Sequence, residues 1–150
     1  LDTGLVCAIQ DQSSSIGWIQ GGNTQDTTNG GTSASIGHGQ TNTTAMMGQE
    51  GYTGGAAKVC NDYSITFNEI TYSDWFLPSK DELYQMWRNK ATINTTAVAN
   101  GGSNFADEYY WSSTDEDFYE YSASALLFSN GMEDIFEKFS PKYVRAVRAF

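Results

Sequence analysis

DWFLPSKDEL, residues 74–83, is the most heavily punctuated stretch of this 150-residue chain, and its reading decides the fold. Pro78 pushes Leu77 out of the helical region, so residues 75–77 run extended. Ser79 follows, with Glu82 three residues on. At a helix start these two can satisfy each other's free backbone N–H groups, which is the capping-box pattern. Asp81 and Glu82 suit the positive start of a helix, and Arg88 and Lys90 suit its negative end. Leu83, Met86 and Trp87 then form one apolar stripe. A short extended segment therefore runs directly into a capped, amphipathic helix.

Outward from this helix the elements are short. Residues 5–9 (LVCAI) read as a buried strand, and residues 16–19 (IGWI) as a second one. Residues 20–31 are Gly, Asn, Thr and Gln rich and read as loop. Asn42 or Thr43 can cap a helix through residues 44–49, with Ala45 and Met46 inward. Ala56, Val59, Cys60 and Tyr63 share a helical face, which predicts a second helix over residues 55–63. Residues 68–73 read as a linker, and residues 91–104, without a period, as surface loop. Tyr109, Tyr110 and Trp111 open a final sheet whose side chains reach both faces. Residues 123–128 continue it to a turn at Ser129, Asn130 and Gly131. Residues 132–142 read as irregular, and residues 143–150 as one closing strand. In that strand Val144, Ala146 and Arg148 share one side, and Arg145, Val147 and Ala149 the other. Trp111 and Phe128 are assigned to the core. There is no internal repeat.

The length fits one domain, and 14% aromatic residues exclude a disordered chain. The net charge of −10 opposes binding to nucleic acid, which needs a basic face. It also opposes an anionic membrane surface, and no apolar run is long enough to span a bilayer. The acidity is concentrated. Residues 107–139 hold nine acids and a single base, Lys138. Cys7 and Cys60 cannot form a disulfide framework, and both sit among apolar neighbours. They read as buried free thiols, with a disulfide between them left open.

Catalytic chemistry finds little support. His38, the only histidine, lies between two glycines in a loop and has no nucleophile elbow to serve. One His and two distant Cys cannot assemble a zinc site. The same Gly-flanked loop lacks the Lys of a phosphate cradle. The acids fall in runs such as Asp115, Glu116 and Asp117, as solvated loops do, rather than in a demonstrable glycosidase pair. Calcium bound through carboxylate oxygens stays open, although there is no DxDxDG loop. The cofactor expectation is none.

Several ordered blocks agree on a relationship: GHGQTNT at 37–43, GAAKVC at 55–60, YSDWFLPSKDEL at 72–83, YYWSS at 109–113 and YVRAVRAF at 143–150. Together the set resembles the Legionella collagen-like protein C-terminal domain family, over nearly the whole chain. The resemblance implies an α+β, C-type lectin-like fold, with short helices packed on small twisted antiparallel sheets and with neighbouring termini. The ending also resembles variable proteins of diversity-generating retroelements from phages and archaeal viruses. In those, a segment like residues 111–150 is rewritten at asparagine codons. Residues 112–142 hold one Asn, Asn130, where such templates are Asn-rich. Met132, Glu133, Glu137 and Lys142 depart from the pattern, because an asparagine codon changed in its first two bases cannot yield them.

The resemblance implies a single non-catalytic binding module, on a virion, extracellular or cell surface and part of a larger protein, with a protein or glycan ligand. A structural or oligomerisation domain is the second reading. The sugar-binding Glu-Pro-Asn and Gln-Pro-Asp signatures of calcium-dependent lectins are absent, and a lectin-like fold does not itself imply sugar. Expected contacts are Asp115, Asp117, Phe118, Tyr119, Tyr121, Ala125, Leu127, Met132, Asp134, Phe136, Phe139 and Lys142. Exposed Tyr and Phe bring contact area at low entropy cost, and acids bring charge selectivity.

Overall fold

The capping box forms as its sequence predicts. In the computed structural model, which describes residues 3–20, 32–116 and 121–150, Ser79 Oγ accepts the Glu82 N–H (3.3 Å) and Glu82 Oε2 accepts the Ser79 N–H (3.4 Å). The other carboxylate oxygen of Glu82, Oε1, accepts the Gly39 N–H (3.0 Å). One buried glutamate thus joins the starts of two helices, α1 (Gly39–Met47) and α3 (Lys80–Arg88). Residue 39 must be glycine at this approach, since a Cβ would stand 2.7 Å from the Glu82 carboxylate.

The remaining elements are α2 (Ala56–Asn61) and α4 (Lys90–Ala99), with the strands β1 (Leu5–Cys7), β2 (Ser13–Ile16), β3 (Ile65–Phe67), β4 (Ile70–Tyr72), β5 (Tyr109–Asp115), β6 (Ser122–Leu127), β7 (Met132–Glu137), β8 (Lys142–Val144) and β9 (Val147–Ala149). A five-stranded sheet runs β2-β8-β5-β6-β7, and β1-β9 and β3-β4 form two-stranded ribbons. Pairing is antiparallel except between β5 and β8. The result is an α+β fold of short helices on small sheets. The β1–β9 ribbon closes the chain on itself: Gly4 and Phe150 exchange both backbone hydrogen bonds, each 3.1 Å.

β5 divides the core. Trp111 enters one cluster with Trp18, Leu77, Ala123 and Ala125. Tyr110, its neighbour, enters the other with Leu83, Met86, Phe105 and Phe128. This is the two-faced use of consecutive aromatics that strand alternation requires. Trp18 Nε1 donates to Ser112 O (2.7 Å) and Trp111 Nε1 to Ile16 O (2.9 Å), so both indoles are buried with their donors satisfied. Truncating either to Ala costs about 3–5 kcal/mol on the usual scale for large core aromatics.

Several elements differ from the sequence reading. β1 is a strand, but Leu5 and Val6 are exposed rather than buried. The extended run after it is Ser13–Ile16, and Trp18 and Ile19 are buried from irregular backbone. α1 starts near Gly39, not at Asn42, because the Asn42 side chain is spent elsewhere. It accepts from the Ser33 N–H (2.9 Å) and donates to Ser33 O (2.8 Å) and to Ser113 Oγ (3.0 Å). The expected linker at 68–73 holds the turn of a hairpin and its second strand, and the expected loop at 91–104 is mostly α4. Residues 132–137 form a strand. The closing strand is two strands in different sheets, because the backbone leaves the ladder at buried Arg145. Its guanidinium takes Asp11 (Nε to Oδ1, 2.7 Å), Ser103 O (3.0 Å) and Asn104 O (3.2 Å). The expected alternation fails with it: Val144, Arg145, Ala146 and Val147 are all buried. Cys7 and Cys60 are free thiols; Cys60 is buried and Cys7 is half-buried.

Candidate functional site

The β6–β7 hairpin organises the region that the sequence singles out. Its register sets Leu127 opposite Met132, Ala125 opposite Asp134 and Ala123 opposite Phe136. Directly opposed side chains share a face, so these six residues occupy one side of the sheet. β5 adds Tyr109, opposite Leu127. β8 adds Lys142, whose ammonium lies 4.0 Å from the centre of the Phe136 ring and 6.0 Å from that of Tyr109. Tyr109 and Phe136 meet edge to face at 4.7 Å. Burial lowers the pKa of Lys142, and the charge of Glu108 partly offsets that.

This face grades from core to solvent. Ala123 and Ala125 are buried; Phe136, Leu127 and Lys142 are half-buried; Met132 and Asp134 are exposed. At the open end of the hairpin the Lys138 N–H donates to Tyr121 O (2.7 Å). That bond sets exposed Tyr121 and Phe139 at the same end. β7 is the sheet edge, and its acids Glu133, Asp134 and Glu137 are exposed.

Two expected contacts are corrected. Asp115 is 7% exposed and faces inward, with its carboxylate 3.2 Å from Lys138 Nζ, which is equally buried. Its N–H donates to Thr32 Oγ1 (3.0 Å). Ala125 is packed among Trp18 and Trp111 and is also enclosed. Asp117, Phe118 and Tyr119 lie outside the described residues. The structure therefore gathers Leu127, Met132, Asp134, Phe136 and Lys142 on one face, with Tyr121 and Phe139 at its end. Tyr109, read from the sequence as opening the final sheet and not as a contact, belongs to the same patch. Its place on the Trp111 side of β5, two residues away, was the available signal.

His38 is the N-cap residue of α1 and makes no side-chain cap bond. Among the described residues, no three His, Cys, Asp or Glu side chains gather as metal ligands would. Among them too, no helix is long and apolar enough to cross a membrane.

The model of the Lcl C-terminal domain family matches residues 7–148, almost the whole chain. This chain belongs to that family. Comparison with curated proteins finds no match. As an Lcl C-terminal domain, the molecule has the α+β, C-type lectin-like fold that the sequence blocks imply. The matched span takes in the β3–β4 ribbon, the capped helix and the β6–β7 hairpin, and it begins and ends within the β1–β9 ribbon.

Proposed function

We propose that this Lcl C-terminal domain is a non-catalytic ligand-binding module, carried at a virion or cell surface as part of a larger protein. Its binding surface is the outer part of the β5–β6–β7–β8 face together with Tyr121 and Phe139. The observation that carries the reading is the hairpin register. It sets Met132, Asp134 and half-buried Leu127 and Phe136 side by side on a fixed ladder. Rigid aromatic and apolar contacts beside exposed acids suit a protein or glycan ligand bearing basic or hydroxyl groups. A backbone held by ladder hydrogen bonds can accept changes in exposed side chains without refolding. The same surface is therefore the part of the chain we assign to diversification.

The test is a combined variant, Tyr121→Ser, Met132→Ser, Asp134→Asn and Phe139→Ser, screened beside the parent on arrays of glycans and of surface proteins. The parent is expected to capture a ligand that the variant does not, while far-UV CD and Tm stay close to parental values. Unchanged capture by the variant, or its unfolding, would overturn the proposal. For diversification, the flanking DNA is expected to encode a reverse transcriptase beside a near-repeat of the segment for residues 111–150; their absence counts against it.

A further inference from the structure

A second, unrelated concavity lies between the two ribbons. Along β3–β4, Ile65 pairs with Tyr72 and Phe67 with Ile70, so these four side chains share one face. Thr66 and Thr71 occupy the other face, where their hydroxyls are 2.8 Å apart and exposed. On the facing ribbon Val6 pairs with Arg148, and Phe150 stacks over Gly4 on the same side. The two ribbons thus turn apolar faces towards one gap, yet Val6, Phe67 and Phe150 remain exposed. The gap encloses a volume of ≈ 500 Å³, floored by Tyr63 and Trp75, whose rings meet edge to face at 5.0 Å. Such a volume lies in the usual range for small-molecule sites, roughly 300–1,000 Å³. Alternation of this kind marks a face meant for burial, and two-stranded ribbons gain most from an apolar partner, being marginal alone.

The polar groups at the gap limit what can enter, and one of them, Asn100, donates its side-chain amide to Thr96 O (2.8 Å). Arg148 is already engaged with Asp74 through two hydrogen bonds (2.6 and 2.9 Å), and it stacks on Tyr72 at 4.7 Å. An anion would have to compete with Asp74. The Cys7 thiol is pushed up to about 12 by burial, so it stays protonated and offers neither charge nor nucleophile. We propose that this gap is a binding site for a neutral, largely apolar, ring-bearing small molecule, seated between the ribbons on the Tyr63–Trp75 floor. It lies apart from the β6–β7 surface and shares no residue with it.

The probe is N-phenyl-1-naphthylamine, a neutral fluorophore whose emission rises in apolar surroundings, titrated into the intact chain. Saturable one-to-one binding is expected, with contacts from the probe to the Val6 and Ile65 methyl groups in NMR. Val6→Trp, which fills the mouth from an exposed position, is expected to weaken binding at least tenfold. Phe67→Ser, which removes one wall at an exposed position, is expected to weaken it as well, and Phe139→Ser on the distant surface should leave it unchanged. Non-saturable binding, unaltered affinity in both gap variants, or loss of binding in Phe139→Ser overturns the proposal. So does sedimentation showing a self-associated chain that Val6→Trp dissociates, since a second copy would then cover the gap.

Discussion

Lys138 ties Asp115, the last residue of β5, to Tyr121, the residue before β6. Its N–H donates to Tyr121 O (2.7 Å), and its Nζ lies 3.2 Å from Asp115 Oδ2 and 4.7 Å from the centre of the Trp18 ring. Its carbonyl accepts the N–H groups of Trp18 (2.7 Å) and Ile19 (3.3 Å). A lysine this enclosed is tolerable only because it is paired, and removing one member of such a pair leaves the other charge in a poor solvent. Lys138→Met is therefore expected to cost about 3–5 kcal/mol in urea unfolding, with Asp115→Asn in the same background recovering part of the loss. A cost below about 1 kcal/mol, typical of an exposed pair, would show that the charges are not desolvated. Nothing in the sequence distinguishes this pair. Asp115 opens a run of acids that reads as solvated, and its cation stands far along the chain, just past the end of β7.

At the scale of elements, legibility followed local signals. α3 could be read because capping residues, dipole charges and an apolar stripe all lie within ten residues and agree. α4 could not. Thr and Ala make up most of it, no apolar stripe marks it, and tertiary anchors hold it instead, such as the Asn94 side chain accepting the Phe105 N–H (2.8 Å). β7 was hidden because an edge strand with mostly exposed side chains shows no burial alternation. Met132 and Asp134 are exposed, in keeping with an acidic stretch read as irregular, whereas Asp115 and Ala125 were illegible because distant packing decides their burial. The β3–β4 hairpin was missed because its turn, Asn68–Glu69, lacks glycine. Both residues nonetheless have positive φ, 49° and 66°. Two positive values are the mark of a type I′ turn, where Asn-Gly is preferred. Glu69 carries the steric cost of the left-handed region, about 1–2 kcal/mol for a residue with a Cβ. Glu69→Gly is thus expected to stabilise the chain by about 1 kcal/mol in thermal or urea unfolding, after allowing for the greater freedom of Gly in the unfolded state. A loss of stability would mean that the Glu69 side chain contributes more than its backbone costs.

For the whole molecule, charge and burial point the same way in pH. Asp11 has a raised pKa because burial outweighs the opposing help of Arg145 and Tyr110. Glu82 is raised as well, its burial outweighing the N–H groups of Gly39 and Ser79. A carboxylate that is raised on folding binds its proton more tightly in the native state. As pH falls from neutral through the folded value the native state gains stability, and the gain is complete below the unfolded value. Asp74 acts in reverse: its bond to Arg148 lowers it, so its contribution disappears as pH falls through its folded value. That contribution is small because the Asp74 side chain is mostly exposed. A net charge of −10 adds self-repulsion that protonation relieves. Tm is therefore expected to rise as pH is lowered from about 7.5 to about 5, towards the ordinary carboxylate range. In about 1 M salt, where the screening length is only about 3 Å, the rise should shrink but persist, since screening removes the net-charge part and reaches the buried carboxylates much less. Differential scanning calorimetry at both salt concentrations separates the two contributions. A Tm that falls across this interval would show that paired carboxylates such as Asp74 govern acid stability instead.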